Sequence, residues 1–98
     1  MTISADQIHR EQGDSKGRYV FTADGHTAEM TYSRLGATRI IIDHTEVPDA
    51  FRGQGVGAAL VARAVADART EGVKITPLCP FAAAQFRRHP DWHDVLDR

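Results

Sequence analysis

Apolar and polar residues keep a period of two through the first half of this chain and a helical period after the glycine cluster at Gly53–Gly57. Arg18–Ala23 is β-branched and aromatic, and the Asp24-Gly25 pair that follows is a two-residue hairpin signal. Thr27–Ser33 alternates, with Ala28, Met30 and Tyr32 on one face and Thr27, Glu29 and Thr31 on the other, as a half-buried antiparallel strand does. Gly36 marks the next turn. Thr38–Val47 is the fourth predicted strand; its run Ile40-Ile41-Ile42 implies cover on both faces and a central place in the sheet. Pro48 stops it, having no N–H to donate.

From Gly55 to about Glu71, Gly57, Leu60, Val61, Ala64, Val65 and Ala68 fall on one helical stripe, with Arg63, Asp67 and Arg69 off it and Gly72 placed as a C-cap. Val73–Cys79 reads as a fifth strand with Val73 and Ile75 on one face, and Pro77 makes it an edge or takes it out of the sheet. Ala82–Arg88 is a short helix that starts after Pro80 and ends at His89-Pro90, and Trp92, Val95 and Leu96 dock the tail. The first dozen residues are polar and expected to be loosely held, with at most a short strand near Ile8. The resulting order β-β-β-β-α-β-α is a mixed α/β fold, mostly antiparallel. A right-handed crossover through the long helix makes the last strand parallel to the fourth.

At 98 residues the chain is expected to be a single domain, 1–98, with residues 1–16 poorly ordered or forming a short edge strand. Hydrophobic content of 42% with 26% charge is that of an ordinary globular fold. The net charge of −1 argues against a nucleic-acid or membrane-surface partner, and no apolar run approaches the roughly 20 residues that span a bilayer. The start, Met-Thr-Ile-Ser-Ala-Asp, has no basic segment followed by an apolar stretch, so no signal peptide is expected. Cys79 is the single cysteine; it allows no internal disulfide and fits a reducing cytoplasm. Five scattered His with none in a His-Glu-x-x-His spacing give no expectation of a metal site.

Candidate chemistry concentrates where the rhythm changes. A strand leading through Gly53-Gln54-Gly55-Val56-Gly57 into a helix presents bare backbone N–H groups at a positive helix terminus, an anion site suited to phosphate or pyrophosphate. A plain tight turn explains one glycine better than three alternating ones. Gly53-x-Gly55-x-x-Ala58 matches a dinucleotide fingerprint, but that motif needs an acidic residue about 20 positions on, and Val73–Cys79 has none. A phosphate-binding Walker loop fails because no Lys-Ser or Lys-Thr follows the last glycine.

Arg52-Gly53-Gln54-Gly55-Val56-Gly57 also fits the R/Q-x-x-G-x-G/A signature of the GCN5-related N-acetyltransferases, and the surroundings agree. His44-Thr45-Glu46-Val47-Pro48, Pro77-Leu78-Cys79-Pro80-Phe81 and Arg87-Arg88-His89-Pro90 occur in order around it, so the chain resembles the small bacterial-type, single-cysteine members of that superfamily from about Tyr19 to Trp92. The resemblance implies that Arg52, Gly53, Gln54, Gly55, Val56, Gly57 and Ala58 hold the pyrophosphate of acetyl-CoA. It implies that the fourth and fifth strands splay so that the pantetheine arm enters between them, with the Val47 N–H polarising the thioester. Phe81, Arg87 and Arg88 would then face the pantetheine and adenosine-phosphate end.

The implied activity is acetyl transfer from acetyl-CoA, as co-substrate, to a primary amine such as a protein Lys or N-terminus; the acceptor is not specified. Cys79 lies at the mouth of the implied gap, ahead of a helix start that favours a thiolate, and is a candidate acyl carrier or base. His44 and Glu46 are alternative bases, and alternation puts both on the strand face of Ile40 and Ile42. No single base stands out. Larger superfamily members wall the acceptor with two N-terminal helices and place a tyrosine acid just beyond the fifth strand, where this chain has Phe81. Those departures keep open a second function, a CoA-binding module with little or no catalysis. Monomer and weak dimer are both compatible with the sequence.

Overall fold

The protein is described here by a computed structural model covering residues 2–97, so Met1 of the segment expected to be loosely held, and Arg98, lie outside the described residues. Five strands form one sheet in sequential order: β1 (His9–Gln12), β2 (Lys16–Ala23), β3 (His26–Leu35), β4 (Arg39–Glu46) and β5 (Lys74–Pro77). The first three pairings are antiparallel and β4 with β5 is parallel, as the sequence predicts. Asp24 and Gly25 both adopt positive φ (53° and 79°), the geometry that lets a two-residue turn follow the twist of β2 and β3.

The long helix α1 (Val56–Glu71) makes the crossover between β4 and β5 and lies on one face of the sheet. Every residue of its predicted stripe is buried, and the stripe meets Tyr19, Ala28, Met30, Tyr32, Ile40, Ile42 and Ile75 from the strands. Gly72 closes the helix at φ 71°, its N–H bonded to the Ala68 carbonyl. A second helix, α2 (Pro80–Arg88), starts two residues earlier than its apolar pattern suggests, because proline at the first helical position needs no N–H partner and is already set near helical φ. The tail forms a 3-10 turn, Pro90–Val95, and Leu96 bridges to Ile75 beyond it. His89 stacks on Trp92 with ring centroids 3.9 Å apart, and the Phe86 ring meets Trp92 edge-on. Among the described residues no helix is long and apolar enough to cross a membrane.

The N-terminal segment is tied down by contacts that hydrophobic periodicity does not register. Ile3 and Ile8 are buried, a 3-10 turn at Ala5–Gln7 leads into β1, and β1 is an edge strand on β2. Arg10 reaches inward and lies 5.4 Å and 5.3 Å from the Tyr19 and Tyr32 ring centroids. Its Nε donates to Tyr32 Oη at 2.9 Å, and its Nη1 pairs with Asp67 at 3.2 Å and with Glu71. Arg63 on α1 bonds the Ile8 carbonyl. Paired and stacked in this way, the guanidinium joins the polar edge of β1 to α1.

One irregularity positions the functional site. Tyr32 faces Ile42 but Thr31 faces His44, so Asp43 is an extra residue bulged out of β4. A one-residue bulge inverts which face every later side chain takes. His44 and Glu46 therefore do not share the face of Ile40 and Ile42, contrary to simple alternation; both are exposed, and Thr45 opposite Met30 turns inward. The ladder between β4 and β5 ends just before this point, at Ile42 opposite Pro77. The N–H groups of Leu78 and Cys79 both converge on the Ile42 carbonyl at 3.2 Å, and the chain then leaves the sheet into α2. Residues 43–46 of β4 continue without a parallel partner.

A Cβ at Gly17 would lie 2.4 Å from Tyr32 Oη, and Tyr32 is buried and held by Arg10 and Gln12. Gly17→Ala is expected to cost about 1–3 kcal/mol of stability, read as a lower urea midpoint at unchanged slope; an unchanged midpoint would mean that the Tyr32 ring yields freely.

Candidate functional site

Beyond Glu46 the chain leaves β4 through Val47 and Pro48 and makes a 3-10 turn at Asp49–Phe51. Phe51 is buried, with its ring 5.2 Å from that of Phe21, and this fixes the root of the glycine loop to β2. Gly53 and Gly55 then take left-handed φ of 80° and 72°, which costs a side-chain-bearing residue about 1–2 kcal/mol. Gly55 is the N-cap of α1 and has no side chain with which to bond the first-turn N–H groups. Those donors, from Val56 to Ala58, are thus left for an external acceptor at the positive end of the helix.

The loop forms one wall of a depression of about 270 Å³. Val47, Arg52, Gly53, Gly55, Val56, Gly57, Ala58 and Phe81, all expected from the sequence, line it together with Phe51 and Gln85. Phe81, from the first turn of α2, lies directly over Gly57: a Cβ there would sit 2.4 Å from the ring Cζ. Arg52 projects from the loop with its side chain 80% exposed; its ion pair with exposed Asp49, at 3.2 Å, is of the kind worth little in water. The guanidinium is available to an anion. A bare loop of glycines, an uncapped helix start and an exposed cation suit a pyrophosphate.

Three expected contacts separate. Gln54 does not line the depression. Its side chain returns to the Ala50 carbonyl at 3.4 Å, and its own carbonyl accepts the Ile3 N–H at 2.8 Å. Arg88 falls on the helical stripe of Phe81 and Gln85 but does not line the depression. Arg87 lies on another side of α2, where it borders a second depression with Pro77, Phe86 and Leu96. Phe51 and Gln85 went unpredicted. The signal for Gln85 was present, as a polar residue on the buried side of a short helix beside Ala82 and Phe86.

The candidate chemical groups fall on two sides of the parted strands. Cys79 is 6% exposed, serves as N-cap of α2, and its thiol lies 3.5 Å from Thr45 Oγ1. Burial pushes the thiol up, but the Thr45 hydroxyl and the backbone N–H groups of Ala82 and Phe81 outweigh it and bring Cys79 below the usual thiol range. His44 and Glu46 are exposed on the opposite, open face of the sheet. Glu46 stands opposite Glu29, whose carboxylate is held by Arg18 at 2.7 Å. The bulge thus divides a hydrogen-bonded thiol inside from an imidazole and a carboxylate outside. Among the described residues no three His, Cys, Asp or Glu groups converge as a metal site. A larger hollow of about 560 Å³, bordered by Glu11, Lys16 and Arg18, lies at the β1–β2 edge and includes no residue of the glycine loop.

Comparison with known proteins identifies the fold and the family. The family model for GCN5-related N-acetyl-transferases matches residues 18–95. Protein NATD1 of Xenopus tropicalis is 32% identical over 63 residues, which are 64% of this chain and 58% of that protein, so the chain matches somewhat over half of its curated relative. The solution structure of a GCN5-like protein from Staphylococcus aureus superposes with a TM-score of 0.69 at 33% identity, covering 93% of this chain and 89% of that one. AAC(6')-Iy, solved with the bisubstrate analogue CoA-S-monomethyl-acetylneamine, shares the fold with a TM-score of 0.54 at 16% identity, over 89% of this chain and 65% of its own. The chain belongs to the GCN5-related N-acetyltransferase family.

Proposed function

We propose that this protein binds acetyl-CoA in the depression between the glycine loop and α2 and transfers the acetyl group to a primary amine. The observation that carries the reading is the uncapped start of α1 behind two left-handed glycines, directly beside the place where β4 and β5 part. Backbone N–H groups and Arg52 neutralise the pyrophosphate. The pantetheine arm follows the unpartnered edge of β4 beyond Ile42, where Val47 offers its N–H to the thioester oxygen. That the residue set fits is supported by Gly57, whose missing Cβ makes room for Phe81.

The amine approaches from the open face of the sheet. Its nitrogen attacks the thioester carbonyl carbon, the carbon–sulfur bond breaks, CoA leaves as the thiol, and one amine proton is lost. Glu46 and His44, exposed on that face, are the candidate bases. Buried Cys79 lies on the inner side, hydrogen-bonded to Thr45, a position better suited to holding the splay than to meeting an acceptor. Direct transfer in a ternary complex is therefore favoured over an acyl-cysteine route. Among the described residues a single 3-10 turn precedes β1, and no helix lies over this face. An exposed amine, such as a protein Lys or N-terminus, fits such an open approach. The same openness, with Phe81 where larger relatives carry a tyrosine acid, favours the second reading, a CoA-binding module with little turnover.

Acetyl-CoA and CoA should each raise the melting temperature, by an amount equivalent to about 2.7 kcal/mol at a hundredfold excess over Kd, whereas NAD should not. A flat response to both CoA species in a thermal-shift series would remove both readings. Gly57→Ala should displace the Phe81 ring, which is 38% exposed and free to swing outward. Acetyl-CoA affinity is then expected to fall severalfold while the unfolding midpoint hardly moves, as read by calorimetric titration beside a urea melt. Cys79→Ala should keep acetylation of a lysine-peptide library within about tenfold of the parent. Loss of turnover in that variant, with an acetylated Cys79 on intact-mass analysis of the parent, would instead establish the acyl-cysteine route.

A further inference from the structure

Gln85 is the polar residue for which neither the fold nor the transfer scheme has a use. It lies in α2 between Ala82 and Phe86, is 7% exposed, and is the one buried polar residue among the described residues. Its main-chain carbonyl is engaged, accepting a hydrogen bond from His89 Nδ1 at 2.9 Å. Its side-chain carboxamide is not: among the described residues no donor or acceptor pairs with it, and no unpartnered side-chain nitrogen or oxygen is sealed from solvent. The amide therefore opens into the depression whose wall it forms, facing the glycine loop. A buried carboxamide with no protein partner adds nothing to the core, where an apolar side chain would serve better.

We propose that Gln85 binds the donor, its carboxamide pairing with a secondary amide of the pantetheine arm; this rests on the reading that acetyl-CoA occupies the depression. The match is one of hydrogen-bond chemistry. A secondary amide offers one N–H and one carbonyl in a neutral group, and a carboxamide answers both, donating from Nε2 and accepting at Oε1. Among the side chains that line the depression, Gln85 alone can do so. Arg52 and the N–H groups of the first turn of α1 are donors alone, suited to phosphate oxygens. Around Gln85 the wall is apolar, formed by Val47, Phe51, Val56 and Phe81, which suits a neutral amide better than a charged diphosphate. Gln85 would thus separate ligands that carry pantetheine from nucleotides that do not.

The test compares calorimetric titration of the full chain and its Gln85→Leu variant with two probes, acetyl-CoA and the nucleotide diphosphate half of CoA lacking pantetheine. The variant is expected to lose about tenfold in affinity for acetyl-CoA, to bind the nucleotide half within about twofold of the parent, and to melt at the same or a higher temperature without ligand. Gln85→Met, which keeps the length of the side chain, carries the same expectation should branching disturb the helix packing. Unchanged acetyl-CoA affinity would overturn the proposal. So would an equal loss for both probes, which would place the contact on the diphosphate, and so would a lower melting temperature in both ligand-free variants, which would make the amide a structural group. A parent protein that binds neither probe would refute the donor reading itself, before any variant is compared.

Discussion

The Ile42 carbonyl, accepting the N–H groups of both Leu78 and Cys79, is the point on which the rest of this molecule turns. Before it, β4 and β5 are parallel neighbours and bury Ile40, Ile42 and Ile75 against α1. After it they have no common ladder. Two local features enforce the parting. Pro77 brings a residue without an N–H to the end of β5, and the Asp43 bulge changes the facing of β4 in the next step. Backbone groups left unpaired along a strand are costly, so the open seam between β4 and the edge strand β5 suits an extended ligand that can answer them. The glycine loop and α2 are the two banks of that seam.

Much of this was legible in the sequence where the determining interaction is local. The hairpin at Asp24-Gly25 follows from the φ angles those two residues tolerate, and the α1 stripe from the geometry of a helix on a sheet. The glycine loop is legible for the same reason, because Gly53 and Gly55 are needed at the positions where φ is positive. The bulge was not legible. Ile40 to Glu46 contains no glycine or proline to mark it, and only the cross-strand partners Tyr32 and Thr31 reveal which residue is surplus. Its consequence, that Thr45 rather than His44 meets the interior, lies beyond any count of alternation along one strand.

Long-range polar contacts account for the remaining differences. Arg10 reads as a surface charge on a polar strand, yet its partners Tyr32, Asp67 and Glu71 lie 22, 57 and 61 residues away. The first turn of the chain is likewise anchored from a distance, by Gln54 and Arg63. For Arg87 and Arg88, adjacent residues on a short helix with equal charge, the rotation of α2 alone decides that Arg87 borders the second depression while neither lines the one beside the glycine loop. Sequence identifies the residue types, and that rotation is set by Phe86 and Ala82 packing into the core.

The hydrogen bond from the Ile3 N–H to the Gln54 carbonyl gives the N-terminal segment a place in the energetics of the loop. Gln54 stands between the two left-handed glycines, the most conformationally free stretch of the chain, and Thr2 comes within 3.3 Å of the position a Gly55 Cβ would take. A loop so rich in glycine would ordinarily lose much entropy when a ligand stills it. Here part of that ordering is completed during folding, by Thr2 and Ile3 of the N-terminal segment. Order at the front of the chain and order in the glycine loop are thus coupled, and whatever loosens Ile3 from Gln54 returns conformational freedom to the backbone on either side, at Gly53 and Gly55.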